Sequence, residues 1–151
     1  MKKLTMILAL VAVMLTPSLA HAAAIPCKTY DAYQDHLMTT IAHADYVDTM
    51  QEFAESDANI LTLSPSKLKT YGTAMLDFSD DLHAMTHVDP LMQPYHRAEI
   101  DLFGTTGQFM VDASSMGVMT AALIYQDQLT EVTDTYNLES AKLPTGCGNS
   151  I

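Results

Sequence analysis

Cations, cysteines and long apolar runs are all scarce in this chain, and each scarcity excludes something. Seven lysines and arginines stand against 18 aspartates and glutamates, a formal net charge of −11 at pH 7. A surface so acidic repels phosphate backbones and anionic headgroups, so neither nucleic acid nor anionic membrane is an expected partner. Cations and basic proteins remain compatible, and the same charge also serves simply to keep the chain soluble.

The longest apolar stretch, Leu4 to Leu15, is shorter than the roughly 20 residues needed to cross about 30 Å of hydrocarbon. No retained membrane span is therefore expected. With Lys2 and Lys3 before it, and Pro17 and Ala20-His21-Ala22 after it, the stretch reads as a secretory signal peptide over residues 1–22. Its removal takes away two basic residues and no acidic ones, carrying the charge from −11 to −13. Residues 23–151 are then expected to form one helical bundle domain, secreted or periplasmic. Cys27 follows Pro26 rather than a small residue, which argues against lipidation.

Only two cysteines exist, Cys27 and Cys147. In an exported chain they have no partners but each other, so one disulfide should tie the start of the fold to its end.

Enzyme signatures are missing as well. The chain has no Gly-x-Ser-x-Gly elbow, no glycine-rich phosphate loop, no His-Glu-x-x-His and no Cys-x-x-Cys-His for haem. Nor does it carry a repeat, a low-complexity tract or a second-domain linker. A non-catalytic role is expected.

What is present is helical periodicity. Tyr30, Tyr33, Leu37, Ile41, Ala44, Val47, Met50 and Phe53 recur at spacings of three and four, predicting one helix from Tyr30 to about Asp57. Ser64-Pro65 opens a second helix as N-cap and first residue. Its seam of Leu68, Tyr71, Met75, Phe78, Leu82 and Met85 carries it to about His87. A third, from about Leu91, turns Tyr95, Ala98, Leu102, Phe109, Ala113 and Met116 inward. Gly104 and Gly107 mark either a kink or the close approach of a neighbour. After Gly117, Val118, Ala122, Tyr125, Leu129, Val132 and Tyr136 give a fourth seam.

The expected fold is all-α, an antiparallel up-down-up-down four-helix bundle. That topology brings the beginning of the first helix and the end of the last to the same end, where a Cys27–Cys147 bridge needs them.

Metal binding is the sharpest site candidate. Asp80, His83 and His87 fall on one face if the second helix continues through them, placing three nitrogen and oxygen ligands together for zinc or copper. The face is the outer one, where an exposed pair of histidines binds metal opportunistically and a solvated surface is the simpler explanation. His36 and His43 are too far apart along a helix to share one ion. His96 and Glu99 lie three apart, but a di-iron bundle needs the Glu-x-x-His motif twice plus two further glutamates. Eight methionines follow residue 22; thioethers bind copper(I), but Met75, Met85 and Met116 lie on seams where they fill core gaps.

Taken with the signal and the early cysteine, Pro94-Tyr95-His96 opening the third helix, Gly117 before the fourth, and the terminal Cys147-Gly148 resemble small exported four-helix proteins of bacteria that carry no assigned function. That resemblance implies a four-helix fold with a disulfide and supplies no catalytic residue. The functional expectation is an exported helical binding or interaction module with a protein or cation as partner. The alternative is a periplasmic or secreted copper- or zinc-binding protein.

Overall fold

A computed structural model describes residues 25–56 and 59–147; the expected signal peptide, residues 1–22, lies outside them. The described residues form five α-helices and one short 3-10 turn, with no strand among them. The helices are α1 (Cys27–Ile41), α2 (Tyr46–Glu55), α3 (Pro65–Ala84), α4 (Gln93–Met116) and α5 (Val118–Ser140). The 3-10 turn, Ile60–Thr62, precedes α3.

Packing is antiparallel, with α3 against α4 and α4 against α5 as the main contacts. Glycine sets the first of these. A Cβ on Gly72 would stand 2.7 Å from the Gly107 carbonyl oxygen, and one on Gly107 would stand 2.8 Å from the Gly72 carbonyl oxygen. The two backbones touch where both side chains are absent. Gly107 therefore marks a close approach, and α4 runs unbroken through it and Gly104.

The first expected helix is two. Around Ala42–Asp45 the bonds Ala44 N–H to the Ile41 carbonyl and Val47 N–H to the Ala44 carbonyl close tighter turns than an α-helix does. The break lets one amphipathic stretch serve two neighbours. Tyr33 of α1 packs edge-on against Tyr95 of α4, whereas Tyr46 of α2 packs on Phe78 of α3 and donates to Asp81 at 2.6 Å. The apolar period survives the break: Tyr33, Leu37, Ile41 and Met50 are all buried.

Ser64 caps α3 as expected, accepting from the Lys67 N–H at 3.3 Å with Pro65 in the first turn. Leu68, Tyr71, Met75, Phe78 and Leu82 are buried along its inner face. Between α4 and α5, Gly117 takes φ +88°, a conformation costly for any residue with a Cβ.

The disulfide is where the topology requires it. Cys27 and Cys147 are joined, with Cα atoms 5.4 Å apart across a separation of 120 residues. Beside it, the Ile25 N–H bonds to the Lys142 carbonyl at 3.2 Å. No helix among the described residues is long and apolar enough to cross a membrane.

Candidate functional site

The centre of the bundle holds polar groups that a hydrophobic core does not need. Glu99 lies on α4 with only 4% of its surface exposed, between Tyr33 of α1, Tyr95 of its own helix and, one step further, Tyr136 of α5. Tyr33 Oη donates to Glu99 Oε2 at 2.6 Å, and Tyr95 Oη donates to Oε1 at 3.3 Å. Tyr95 Oη also lies 3.2 Å from Tyr136 Oη. Because Tyr95 gives its one proton to Glu99, it accepts from Tyr136, and the chain runs Tyr136 to Tyr95 to Glu99.

Burial pushes the Glu99 carboxyl up to about 7, although the hydrogen bonds from Tyr33 and Tyr95 act in the opposite direction. The hydroxyls of Tyr33, Tyr95 and Tyr136 are raised in turn, chiefly by their own burial and also by the nearby Glu99.

Tyr33 Oη has a second neighbour, His96 Nδ1 at 3.0 Å. One hydroxyl proton cannot serve both. When Glu99 is ionised, Tyr33 donates to it. When Glu99 is protonated, the carboxyl donates to Tyr33, whose own proton turns to Nδ1. Burial holds His96 below its ordinary value; its bond to the Leu82 backbone opposes that, and His83 and His36 add to the depression.

Tyr33 also reaches a polar groove of about 480 Å³ at the surface, where His36, His87 and Asp89 form part of the wall. Of the metal candidates Asp80, His83 and His87, only His87 lines this groove, and the three do not converge. α3 ends at Ala84, Met85 is already extended at ψ 123°, and His87 sits beyond it with φ +62°. The helical spacing that would place His83 and His87 on one face therefore does not exist. Asp80, His83 and His87 are all exposed, and no three histidine, cysteine, aspartate or glutamate side chains among the described residues are grouped to hold an ion.

On the other side of Tyr136 the core opens to the surface in an apolar cavity of about 290 Å³, where Phe53, Ile60, Leu102 and Leu129 are only half-buried. Phe53 of α2, Ile60, Met75 of α3 and Leu102, Phe103 and Phe109 of α4 form most of its wall, with Leu129 of α5. The polar residues are few. Thr133 and, one turn later, Tyr136 and Asn137 come from α5, and Thr106 from α4. Asn137 Oδ1 is buried without a hydrogen-bond partner. Although smaller than the groove, this cavity has the makeup of a small-molecule site: aromatic and aliphatic walls with a few convergent polar groups.

Sequence reasoning passed over Glu99 as a functional residue and did not reach the cavity. A signal for the first was present: Glu99 lies four residues after Tyr95 and three before Leu102, on the inward face of α4. An acid at a seam position must find buried donors or be neutral. No such signal existed for the cavity, which arises from how five segments fail to close on one another. No protein family, no curated protein and no solved structure matches the chain.

Proposed function

We propose that this chain is a secreted or periplasmic binding module that holds a small apolar ligand in the cavity between α2, α3, α4 and α5. In this reading α1 and α2 together take the first position of an up-down-up-down four-helix bundle. The disulfide supports an oxidising compartment, since such bridges persist outside the cytoplasm.

The observation that carries the reading is the cavity itself. Three phenylalanines, Phe53, Phe103 and Phe109, border this recess, where an apolar ligand would take their faces from water. An apolar cavity of about 150 Å³ takes a benzene ring, so one of about 290 Å³ suits a bicyclic aromatic or a molecule of that size. Binding is favoured over catalysis, because the lining offers neither a nucleophile beside a base nor a free thiol.

Titration with naphthalene, followed by its fluorescence and by calorimetry, tests this. Saturable one-to-one binding is expected, and Thr133→Phe, which fills the cavity from α5, should abolish it while leaving helical content unchanged. Absence of saturable binding, or equal binding by the folded Thr133→Phe variant, overturns the reading.

A further inference from the structure

Among the described residues, α4 is the one helix that packs extensively against α5, which leaves much of the circumference of α5 to solvent. The seam of α5 from Val118 to Tyr136 turns toward the core. One position after each residue of that seam lies a second one, formed by Met119, Leu123, Gln126, Thr130, Thr133 and Asn137 at the same four-three spacing of a heptad. The first four are exposed and the last two half-buried. Met119, at 72%, and Leu123, at 80%, are the most exposed large apolar residues among those described.

Charge sets this flank apart from the rest of the surface. The chain has a formal net charge of −11, yet no Asp, Glu, Lys or Arg occurs from Ala113 to Gln126. The four acids of α5, Asp127, Glu131, Asp134 and Glu139, all lie off the second seam. A basic partner would therefore find no counter-charge along it. A second copy of the chain, which the acidic surface repels, approaches most readily where charge is missing.

The seam is also self-complementary. In an isologous contact each residue is met by a residue that it meets in return. An antiparallel pairing of two α5 helices centred on position 128 sets Met119 against the partner's Asn137, Leu123 against the partner's Thr133 and Gln126 against the partner's Thr130, so that every position of the seam is matched. Thr133 and Asn137 line the apolar cavity, beside Phe53 and Ile60. The two most exposed apolar side chains of one copy thus come to lie at the open cavity of the other, and both surfaces leave water.

We propose that two copies of this chain pair through the second seam of α5, antiparallel about a two-fold axis, with Met119 and Leu123 of each covering the cavity mouth of the other. The pairing needs no bound ligand.

Sedimentation equilibrium of the full mature chain, without ligand, tests this. A dimer is expected, and its dissociation constant should fall as salt is raised, since screening weakens the repulsion between two acidic copies. Leu123→Glu should raise that constant at least about a hundredfold, because each copy then brings a carboxylate into the contact. Ile124→Glu adds the same charge at a position 59% exposed but off the seam, and should change the constant by less than about threefold. Adding Thr133→Lys to Leu123→Glu should restore pairing, because these positions stand about 15 Å apart along one helix and meet only between copies. A chain that stays monomeric up to about 100 µM, pairing that survives Leu123→Glu, equal weakening by Ile124→Glu, or a folded double variant that fails to pair overturns the proposal. A monomer that instead binds phosphatidylcholine vesicles, and loses them in Leu123→Glu, would also overturn it and give the face to a membrane. Leu123 and Ile124 are exposed in the single copy, so their variants decide the matter even if Thr133→Lys does not fold.

Discussion

Tyr33 of α1 holds Glu99 of α4 at 2.6 Å, and through that single bond the least extensively packed helix of the fold is fastened to its buried carboxyl. The contact is made between residues 66 positions apart. It positions His96 as well, since the same hydroxyl lies 3.0 Å from Nδ1.

Glu99 should make stability depend on pH. Its value is raised from 4.5 to about 7. Between those limits the folded state binds the more protons, so stability falls as pH rises from 4.5 to 7, by on the order of 3 kcal/mol from this group alone. His96 acts at the other end of the same range. Its folded value lies below 6.5, so the stability it contributes is full above that pH and is lost as pH falls. Urea denaturation across this range should show Glu99→Gln flattening the loss toward neutral pH. An unchanged pH profile in the variant would mean that Glu99 is not the group responsible.

The glycine contact between α3 and α4 predicts two opposite outcomes. Gly72→Ala drives a Cβ into the backbone of Gly107 and Val111, at 2.7 and 2.9 Å, where no flexible side chain can yield. It should cost at least about 2 kcal/mol. Gly104→Ala meets only the Ser79 side chain, Oγ at 3.1 Å and Cβ at 3.9 Å; that hydroxyl, which donates to the Ile100 carbonyl at 3.0 Å, must shift by a few tenths of an ångström, a cost offset by the helix propensity of alanine. Its thermal midpoint should stay close to that of the parent. Equal losses for both would contradict the close approach.

The α3 seam was legible because burial follows the helical period, whereas Met116, expected on the inner face of α4, lies exposed at the end of that helix, and of the expected α5 seam only Tyr136 is fully buried. Leu68, Tyr71, Met75, Phe78 and Leu82 repeat at three and four, and all are buried. Met85 is buried too, although the helix has ended before it, so its place on the seam concealed the terminus. The break after Ile41 was hidden for a related reason. Ala42-His43-Ala44-Asp45 contains no glycine or proline, and its bend comes from tertiary packing against two different helices. The centre around Glu99 was half legible: Tyr95 shares its face at a spacing of four, but Tyr33 and Tyr136 come from other helices, and no local pattern brings them together.

The disulfide should matter to stability far more than to architecture. The bridge closes a loop with a separation of 120 residues, and chain entropy assigns such a loop about 4 to 5 kcal/mol, an upper figure because reduced chains retain structure. Cys27→Ser with Cys147→Ser should lower the denaturation midpoint strongly while helical content below the transition is retained. Alkylation of the native chain without reductant should modify no thiol. Two modified cysteines would show that the bridge does not form.

Zinc binding separates a chelate from two independent imidazoles. His83 lies on the last turn of α3, and His87 lies past its end at φ +62°. They therefore lack the one-turn helical spacing that would let both rings face one ion. Each ring should bind zinc weakly and alone. A calorimetric double-mutant cycle over His83→Ala and His87→Ala should accordingly show additive effects, since residues that share no ligand have no coupling energy. A chelate would behave differently: either single substitution would remove nearly all the affinity, and the second would add little. That outcome would require α3 to extend through His87 when zinc is present, pulling Met85 from the buried position it holds beside Leu82. Because extracting Met85 exposes apolar surface, such a zinc-bound state would also be recognisable by a change in heat capacity on binding opposite in sign to that of ordinary apolar burial.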